Sequence, residues 1–578
     1  MRTAERRHDL DALRAVAMLL GIGLHASMSY FPVPWAVQDA QRNDWFGLFF
    51  LLVHGFRMPL FFIVSGYFTM MMFRRRGLVA VVKQRTVRIL LPCMLGLVTI
   101  IPLTGFVVRR AIRPVARPQK ELDKTTLVGA IRARDAAAID RLIGRAEQVN
   151  RPDDEFGVSP LNWAVMLGDP ALVERLVENG ADVNSSNRDG NRPMHAAAFM
   201  GRDDLVELLL KHQADSKAEN RAKETPVRAA SVDWGTTQYV TALLDIPLPE
   251  RAKVEAGRLR VRRLLGEVSS TGSQSVPEPR VAVAAAPAGP TSAREMYQSW
   301  LRSNRWNLAI GAGTWHVFYT DVFSHLWFLS FLCWMVAGFA GMTFLARQSI
   351  RRTPDAPPVR DAALLRFGPP SDSALRIALC LIPLTLLPQW LMGTSPLQFG
   401  PDTSSGLLPQ PHLLFYYGLF FAFGSLLFEM ELFDRTIGSR WWAYLGLGLF
   451  AAFPAWRYSI GNHAVGAIAQ VVYAWAVSIG LIGLFKRFMS RPSRTVRYVS
   501  DSSYWLYLAH LPLVIELQSL TRDWPLNAIA KFIGINVASV TILLISYHCL
   551  VRPTWIGVLL NGRRARRSAE EPAAPQFS

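Results

Sequence analysis

Ten stretches of the chain are each apolar over about the 20 residues that a helix needs to cross the hydrocarbon core of a membrane. They comprise residues 10–31, 46–73, 89–108, 326–346, 374–393, 412–430, 441–458, 464–485, 504–520 and 527–550. Only 19% of the residues are charged and 51% are hydrophobic, whereas about a quarter of a soluble domain is charged. The pattern predicts an all-α fold, a polytopic membrane bundle of about ten transmembrane helices.

Positive charge is distributed unevenly around these stretches. Short basic clusters flank them at 74–76, 351–352, 486–487, 563–564 and 566–567. When Arg2, Arg6 and Arg7 are placed in the cytoplasm and the helices alternate, the basic loops fall inside and the opposite short loops carry very little positive charge. Cytoplasmic loops carry an excess of Lys and Arg. We therefore expect a membrane protein with both termini in the cytoplasm, including a basic tail at 556–578.

The net charge of +19 does not indicate nucleic-acid binding, because no basic stripe or base-stacking motif accompanies it. The lipid bilayer is the partner that the charge clusters indicate. The four cysteines, Cys93, Cys333, Cys380 and Cys549, all lie in apolar stretches and none forms a CxxC pair. They indicate small buried side chains, and the sequence predicts neither a metal site nor a disulfide framework.

The segment between the third and fourth apolar stretches contains an internal repeat. Pro160, Pro193 and Pro226 are each 33 positions apart and each opens a similar run of residues. Gly168 and Gly201 recur at the same interval. This period and these motifs resemble ankyrin repeats, which bury a shared core only by stacking on their neighbours.

We expect the ankyrin repeats to span residues 120–250, with degenerate end repeats at 127–150 and 226–246. A linker at 251–295, rich in Ser, Pro and Ala over 268–292, is predicted to return to the membrane. Long loops cross a membrane largely regardless of their charge, so the insert is placed on the periplasmic side, where it offers a surface to a protein partner. His195 stands at the histidine position of the repeat and is expected to form local hydrogen bonds.

Charged residues inside membrane helices are functional candidates, since each costs roughly 2.5–3.5 kcal/mol to insert. The first stretch contains Asp11, Arg14 and His25. Arg14 and His25 are 11 residues apart, close to three whole turns, so both project from one helix face about 16 Å apart along the axis. A histidine at that depth is suited to act as a general base. The alternative is a histidine whose ring is satisfied by a neighbouring helix.

Three further arginines lie in or beside the second and third stretches. Arg57 is in the middle of its span and needs a counter-charge or a substrate. Arg85 and Arg88 are spaced i, i+3 at the cytoplasmic edge and so share a face, where two guanidinium groups are able to clamp phosphates. The alternative for this pair is a set of interface anchors whose charged ends reach the headgroups.

These residues occur in a combination that resembles the acyltransferase-3 family. The combination consists of Arg14 and His25, Arg57 in the run 57–66, the run 85–88, His325 in the run 325–329, and the run 503–510. Members of that family are ten-helix membrane O-acyltransferases acting on extracytoplasmic glycans. The runs 8–22 and 57–66 are most similar to its glucan-biosynthesis protein C branch, which is associated with succinylation of osmoregulated periplasmic glucans.

The resemblance covers residues 8–108 and 320–555, within two membrane parts at 1–110 and 296–555, and it omits the insert. It implies transfer of an acyl group, succinyl or acetyl, from cytoplasmic acyl-CoA to hydroxyl groups of a periplasmic glucan or another extracytoplasmic glycan. Acyl-CoA is then the donor substrate, and no bound cofactor is expected. No Ser or Cys nucleophile stands in an obvious motif, which favours direct transfer.

The hypothesis gives each candidate residue a role. His25 activates the sugar hydroxyl, and Arg14 steadies the donor or orients His25. Arg85 and Arg88 hold the phosphorylated donor, and Asp11 belongs to the same group. Arg57 pairs with donor charge or a developing oxyanion. His325, at the outer end of its helix, lines the path of the acceptor.

Two readings from other classes of protein remain open at this stage. A transporter or channel also uses arginines and histidines inside the membrane, although no inverted repeat relates the two halves. Alternatively, the membrane part anchors an ankyrin interaction module. Acyl transfer by isolated membranes separates the enzyme from the transporter, and neutralising Arg14 and His25 together separates it from the anchor.

Overall fold

The computed structural model describes residues 7–31, 33, 35–111, 123–154, 156–221, 224–232, 236–237, 240–241, 244, 246–247, 249–266, 293–310, 313–352, 373–392, 399–429, 440–459 and 462–561. The Ser/Pro/Ala-rich run 268–292 and residues 562–578 of the predicted tail lie outside these ranges. Two compact units divide the chain: Met1–Phe31, Ala36–Arg113 and Ala285–Ser578 form the membrane unit, and Pro32–Trp35 and Pro114–Ala284 form the ankyrin unit.

The described residues are mostly helical. In chain order the α-helices are α1 (His8–Ser27), α2 (Asp44–Arg85), α3 (Leu91–Val98), α4 (Ile100–Ala111), α5 (Leu127–Arg132), α6 (Ala136–Leu142), α7 (Ala146–Val149), α8 (Pro160–Leu167), α9 (Pro170–Glu178), α10 (Pro193–Phe199), α11 (Asp203–Lys211), α12 (Pro226–Ala229), α13 (Arg251–Leu264), α14 (Ala293–Arg302), α15 (Trp327–Arg352), α16 (Ser373–Leu391), α17 (Pro411–Glu429), α18 (Trp441–Gly446), α19 (Phe453–Tyr458), α20 (His463–Phe488), α21 (Arg494–Thr521), α22 (Ala528–Ser546) and α23 (Trp555–Asn561).

Shorter elements join several of these helices. They are π-helical segments at Thr86–Leu90, Leu447–Ala452 and Tyr547–Val551, and 3₁₀ turns at Asn304–Trp306 and Ser324–Leu326. The expectation of an all-α fold needs one correction, a hairpin of two four-residue strands, β1 (Asn307–Ile310) and β2 (Gly313–His316), that pair antiparallel with Asn307 opposite His316.

Six helical segments among the described residues are long and apolar enough to cross a membrane. They are His8–Ser27, Asp44–Ala111, Ser324–Ala346, Pro411–Glu429, His463–Phe488 and Ala528–Val551. The segment Asp44–Ala111 contains two of the stretches predicted from sequence. Helices also occupy 374–391, 441–458 and 504–520. The chain is therefore a membrane protein, and the number of ten spans stays a prediction.

The basic cluster at 74–76 is helical, not a loop as the sequence suggested. Helix α2 continues through it, and only Gly77 departs from helical geometry, with φ 79° and ψ 174°. A φ in that region suits glycine, which has no Cβ to clash with the backbone. Arg74 forms an ion pair with Glu429 at the end of α17. This contact neutralises the charge of Arg74 while the residue stays in the helix.

Glycines allow α2 and α17 to pack with their backbones in contact. A Cβ added at Gly66 would overlap the carbonyl oxygen of Phe421, and one at Gly424 would overlap that of Ile63. The Ser425 hydroxyl also donates to the Gly66 carbonyl at 3.2 Å. Small residues at helix crossings are the usual means of close packing in membranes. This contact fixes α2, and with it the depth of Arg57.

Helix α1 lies inside the membrane unit and contacts α2, α20, α21 and α22. Its apolar residues are buried with the chain's largest core, including Leu10 and Leu13, each 2% exposed. Burial on several sides places the polar residues of α1 against other helices. The first span is thus part of the bundle interior, which the enzymatic interpretation requires.

The ankyrin unit has a core of its own. Each repeat proline stands at the first position of its helix, where its missing N–H costs no hydrogen bond. Ser159 caps α8 through a bond from the Asn162 N–H at 3.3 Å. His195 is paired at both ring nitrogens, since Nδ1 accepts from the Arg192 N–H at 3.3 Å and Nε2 contacts the Glu224 carbonyl at 3.0 Å. These contacts fit a structural histidine.

The ankyrin stack extends past the boundary predicted at residue 250. Helix α13, within the predicted linker 251–295, packs on the last repeats, with Gly257 against the backbone of Gly201. Arg258 is 4% exposed and donates to the carbonyls of Phe199 and Val232. The sequence placed α13 in the linker, but the structure buries one face of it as a cap on the stack.

Candidate active site

The start of α1 carries a cluster of charged and polar groups. Arg14 Nη2 donates to the Ser500 hydroxyl at 2.6 Å and to the Ser500 carbonyl at 2.9 Å. The same hydroxyl donates to Asp11 Oδ1 at 3.1 Å, and Arg14 lies 3.7 Å from that carboxylate. Asp11 is 7% exposed. A buried carboxylate with a hydroxyl donor and a nearby guanidinium is compensated, so α1 is fixed here to α21.

The end of α1 is also fixed to α21. The His25 ring lies against the His510 ring, with 5.2 Å between their centroids. Gln518 Nε2 donates to the carbonyls of His25 and Ala26, both at 3.1 Å. Since Arg14 meets Ser500 and His25 meets His510, the two helices run parallel. We call this interface of α1 and α21, which has polar contacts at Arg14 and again at His25, the seam.

Arg57 reaches the seam from α2 because α1 has a glycine opposite it. A Cβ at Gly21 would overlap the Arg57 Nη1 atom, so the guanidinium lies directly on the α1 backbone, one turn before His25. Arg57 is within electrostatic range of His25 and of Tyr507. Its Nε atom is fully buried and has no hydrogen-bond partner among the described residues.

His325 lies beside the same group of rings. It belongs to the 3₁₀ turn that precedes α15, and its ring centroid is 5.7 Å from that of His510. The Tyr507 hydroxyl donates to the His325 carbonyl at 2.6 Å. The structure therefore joins His25, Arg57 and His325 with His510, and we call this group the histidine end of the seam.

Arg85 and Arg88 lie elsewhere. Arg85 Nη2 donates to the Thr69 hydroxyl at 2.9 Å, across the bend at Gly77. It is within electrostatic range of Arg14, Arg88 and Tyr504. We call Asp11, Arg14, Arg85 and Arg88 the arginine end of the seam. Arg14 belongs to this end, about 16 Å along α1 from His25, as the sequence spacing predicted.

A cavity of about 370 Å³ adjoins the arginine end. Apolar side chains of the Thr86–Leu90 segment and of α15 form most of its wall, and Arg85 is the charged residue that lines it. Cys333 and Trp334 lie on the α15 side. An apolar cavity with a guanidinium group in its wall suits an amphiphile that carries an anionic group.

The sequence interpretation missed His510, Tyr507 and Ser500 as site residues. All three lie on α21, at spacings of seven and three residues that place them on one helix face. The run 503–510 was noted only as a family motif. Its polar positions at helical spacing were the available signal. That signal does not show which helix lies opposite, because α1 and α21 are at opposite ends of the chain.

Comparisons with known proteins assign both units of the chain to families. The family model described as "Acyltransferase domain" matches residues 7–114 and 280–548, together more than half of the chain. The chain belongs to the acyltransferase-3 family. A second model, for ankyrin repeats in three copies, matches residues 127–245. The resemblance that the sequence motifs indicated is thereby confirmed, including the interruption of the acyltransferase domain by the repeats.

Among curated relatives of this family member is glucans biosynthesis protein C of Escherichia coli strain K12 / DH10B, 38% identical over 110 residues. The same protein of Escherichia coli O1:K1 / APEC matches equally, and each alignment covers 19% of this chain and 28% of the relative. The chain thus matches little more than a quarter of the length of these relatives.

Of the solved structures, the ankyrin repeat domain of Bcl-3, a member of the IkappaB protein family, matches at 26% identity. The match covers 20% of this chain and 54% of that one, with a TM-score of 0.18. A likeness at that score carries no structural argument. The ankyrin assignment rests on the repeat period and on the family model.

Proposed function

We propose that this acyltransferase-3 family member is a membrane O-acyltransferase that moves an acyl group from acyl-CoA to a hydroxyl group of an extracytoplasmic glucan. The observation that carries the proposal is the position of His25, in contact with His510 and within range of Arg57, at one end of a polar seam inside the bundle. The name of the Escherichia coli relatives supports a glucan as the acceptor.

The chemistry needs one base and one oxyanion stabiliser. His25 takes the proton of the sugar hydroxyl as its oxygen attacks the thioester carbonyl. The new C–O bond forms, the C–S bond breaks, and the proton passes from His25 to the departing CoA thiolate. Arg57, whose Nε atom is buried and unpaired among the described residues, stabilises the oxyanion of the tetrahedral intermediate.

The arginine end supplies the donor site in this proposal. Arg85 and Arg88 bind CoA phosphates by charge-assisted hydrogen bonds, and the adjoining cavity of about 370 Å³ receives apolar parts of the donor. The seam from Arg14 to His25 then conducts the acyl end towards the histidine end. The 16 Å or so between the two ends along α1 suits a long, extended donor arm.

We place the donor side in the cytoplasm of a bacterial cell, with both termini, and the acceptor side beyond the inner membrane. The distribution of positive charge in the short loops supports this orientation. The ankyrin unit then projects on the acceptor side. Ankyrin stacks present extended surfaces to other molecules, so the insert is proposed to bind a protein partner.

A His25→Ala variant tests the proposed chemistry. Membranes that contain the full chain are supplied with radiolabelled acyl-CoA and periplasmic glucan, and label in the glucan is measured. Loss of a general base lowers the rate about 10²–10⁴-fold. A Cys549→Ser variant, changed at an exposed cysteine, is the matched control and keeps the wild-type rate. Normal transfer by His25→Ala would refute the assignment, and wild-type membranes that transfer no label would refute the enzyme itself.

A further inference from the structure

We propose that His510 and His325 form a hydroxyl-binding subsite for the sugar acceptor, in which each ring offers one nitrogen lone pair to a hydroxyl of the bound molecule. The proposal rests on the proposed function, since it names residues that hold the acceptor of that reaction. It is carried by two hydrogen bonds that fix which nitrogen of each ring carries the proton.

The first bond fixes His510. Its Nδ1 atom is 2.8 Å from the carbonyl oxygen of Tyr507. A carbonyl only accepts hydrogen bonds, so Nδ1 must donate, and in the neutral ring the lone pair then lies on Nε2. His510 is 2% exposed, and its Nε2 atom is fully buried with no partner among the described residues. A buried acceptor of this kind calls for a donor.

The second bond fixes His325 in the opposite tautomer. Its Nε2 atom is 3.1 Å from the carbonyl oxygen of Leu508 and must donate, which leaves the lone pair on Nδ1. That Nδ1 atom is also fully buried, and the part of the chain that the structure describes offers it no partner. One turn of α21 therefore orients both rings. The Tyr507 carbonyl orients His510, and the Leu508 carbonyl orients His325.

The two rings are neighbours at nearly a right angle, with 5.7 Å between centroids and 87° between planes. His510 lies between His325 and His25, whose ring is 5.2 Å away. Arg57 is within electrostatic range of His510, so a positively charged donor lies near the two rings. Among the residues described, no three His, Cys, Asp or Glu side chains are placed to share a metal ion.

This set of groups selects its ligand by hydrogen-bond polarity. A lone pair needs a donor, which excludes carboxylates and phosphates, because these only accept when ionised. A hydroxyl both donates and accepts, so one hydroxyl is able to donate to a histidine nitrogen while accepting from Arg57. A molecule with several neighbouring hydroxyls, such as a sugar, satisfies both rings at once. The donor's phosphates are thereby directed away from this end, to Arg85.

The test measures carbohydrate binding to the full chain in detergent, with laminaripentaose as the probe and its fully O-methylated form as the matched control. His510→Phe keeps a ring but removes the lone pair, whereas His510→Gln keeps an acceptor oxygen near the Nε2 position. Loss of the hydrogen bond weakens binding by about tenfold in His510→Phe. The Gln variant stays within about threefold of wild type.

His325 provides an independent pair of variants. Its free lone pair is on Nδ1, so Asn keeps an acceptor and Phe does not, and the order of binding is wild type, Asn, then Phe. The melting temperature of each variant shows whether it is folded. If one phenylalanine variant fails to fold, the other pair and the methylated oligosaccharide still decide the question.

Equal binding by wild type and both phenylalanine variants would overturn the subsite, and so would equal binding of the methylated oligosaccharide. No binding of laminaripentaose to wild type would overturn it as well. Binding that depends on the two histidines, together with membranes that transfer no acyl group, would refute the proposed enzyme and leave the subsite standing. Transfer at a normal rate with an unchanged acceptor KM in both phenylalanine variants refutes only the subsite.

Discussion

The two ends of the seam between α1 and α21 satisfy their polar groups in different ways. At the arginine end, Arg14 has a carboxylate within 3.7 Å and a serine hydroxyl at 2.6 Å. At the histidine end, Arg57 has no carboxylate partner among the described residues, and the lone-pair nitrogens of His325 and His510 have no donor there. The first end pairs a guanidinium with a carboxylate of the chain itself, whereas the second contains buried acceptors for which the described chain offers no donor.

Neutralising Arg57 provides the largest test of that contrast. We expect Arg57→Gln to lower acyl transfer about 10²–10³-fold, the usual effect of removing an oxyanion donor. The melting temperature in detergent should not fall, because the change removes a charge that lacks a carboxylate partner in the described chain. Transfer assays and melting curves on the same preparation check both parts. A large loss of stability would mean that Arg57 is structural.

Neutralising Arg14 should lower the stability of the protein more clearly than it lowers the rate of acyl transfer. Arg14→Gln leaves Asp11 without its cation, and we expect the free energy of unfolding to fall by roughly 1 kcal/mol, since the guanidinium is partly exposed. The KM for acyl-CoA should rise more than the rate falls. In the double variant with Asp11→Asn, most of the stability should return, which a double-mutant cycle measures. A rate loss as large as that of Arg57→Gln would remove the distinction between the ends.

Two glycines of α1 form a matched pair for the geometry of the histidine end. Gly21→Ala displaces the Arg57 guanidinium, and a shift of this kind should lower the transfer rate about tenfold. Gly23→Ala meets the Phe49 ring at 3.4 Å and the Asn536 Oδ1 atom at 3.5 Å, both ordinary contacts, and should keep the wild-type rate. Equal rates in the two variants would show that the contact between Gly21 and Arg57 does not matter to the reaction.

His195 in the ankyrin unit gives the smallest expected effect and contrasts with His510. Burial lowers the pKa of His195 below its usual 6.5, and both of its nitrogens are already paired. The unfolded chain therefore binds a proton that the folded repeat refuses, so the repeat loses stability as the pH falls below about 6.5. Hydrogen exchange of α10 amides at about pH 5.5 and about pH 7.5 checks this. Because unprotected amides exchange faster at higher pH, protection factors are compared, and a lower protection factor at about pH 7.5 than at about pH 5.5 would contradict the expectation.

The sequence predicted which residues share a helix face and the period of the repeats, but it did not show which elements pack against each other. The spacing of Arg14 and His25 predicted one face of α1, and the structure places both against α21. The period of 33 residues predicted the ankyrin repeats. The role of Gly77 was not visible, because a glycine after three arginines is as typical of a loop as of a kink. The packing of α13 was not predicted, since Arg258 is buried where it donates to the backbone carbonyls of Phe199 and Val232, contacts that no sequence pattern shows.

His510 illustrates the same limit inside the site. Its type and helical position were readable, but its tautomer depends on a carbonyl one turn away, and its neighbours come from α1 and from the turn before α15. Such contacts follow from tertiary packing and not from local pattern. Arg57 was found from sequence because a charge in an apolar run is costly wherever it packs.

The seam also determines at what stage of synthesis its two helices can assemble. The bonds between Arg14 and Ser500 join residues 486 positions apart, so the ribosome must deliver nearly the whole polypeptide before His25 meets its neighbours. The ankyrin repeats emerge long before that moment and have a core of their own. A nascent chain therefore completes its ankyrin core first and brings α1 and α21 together last.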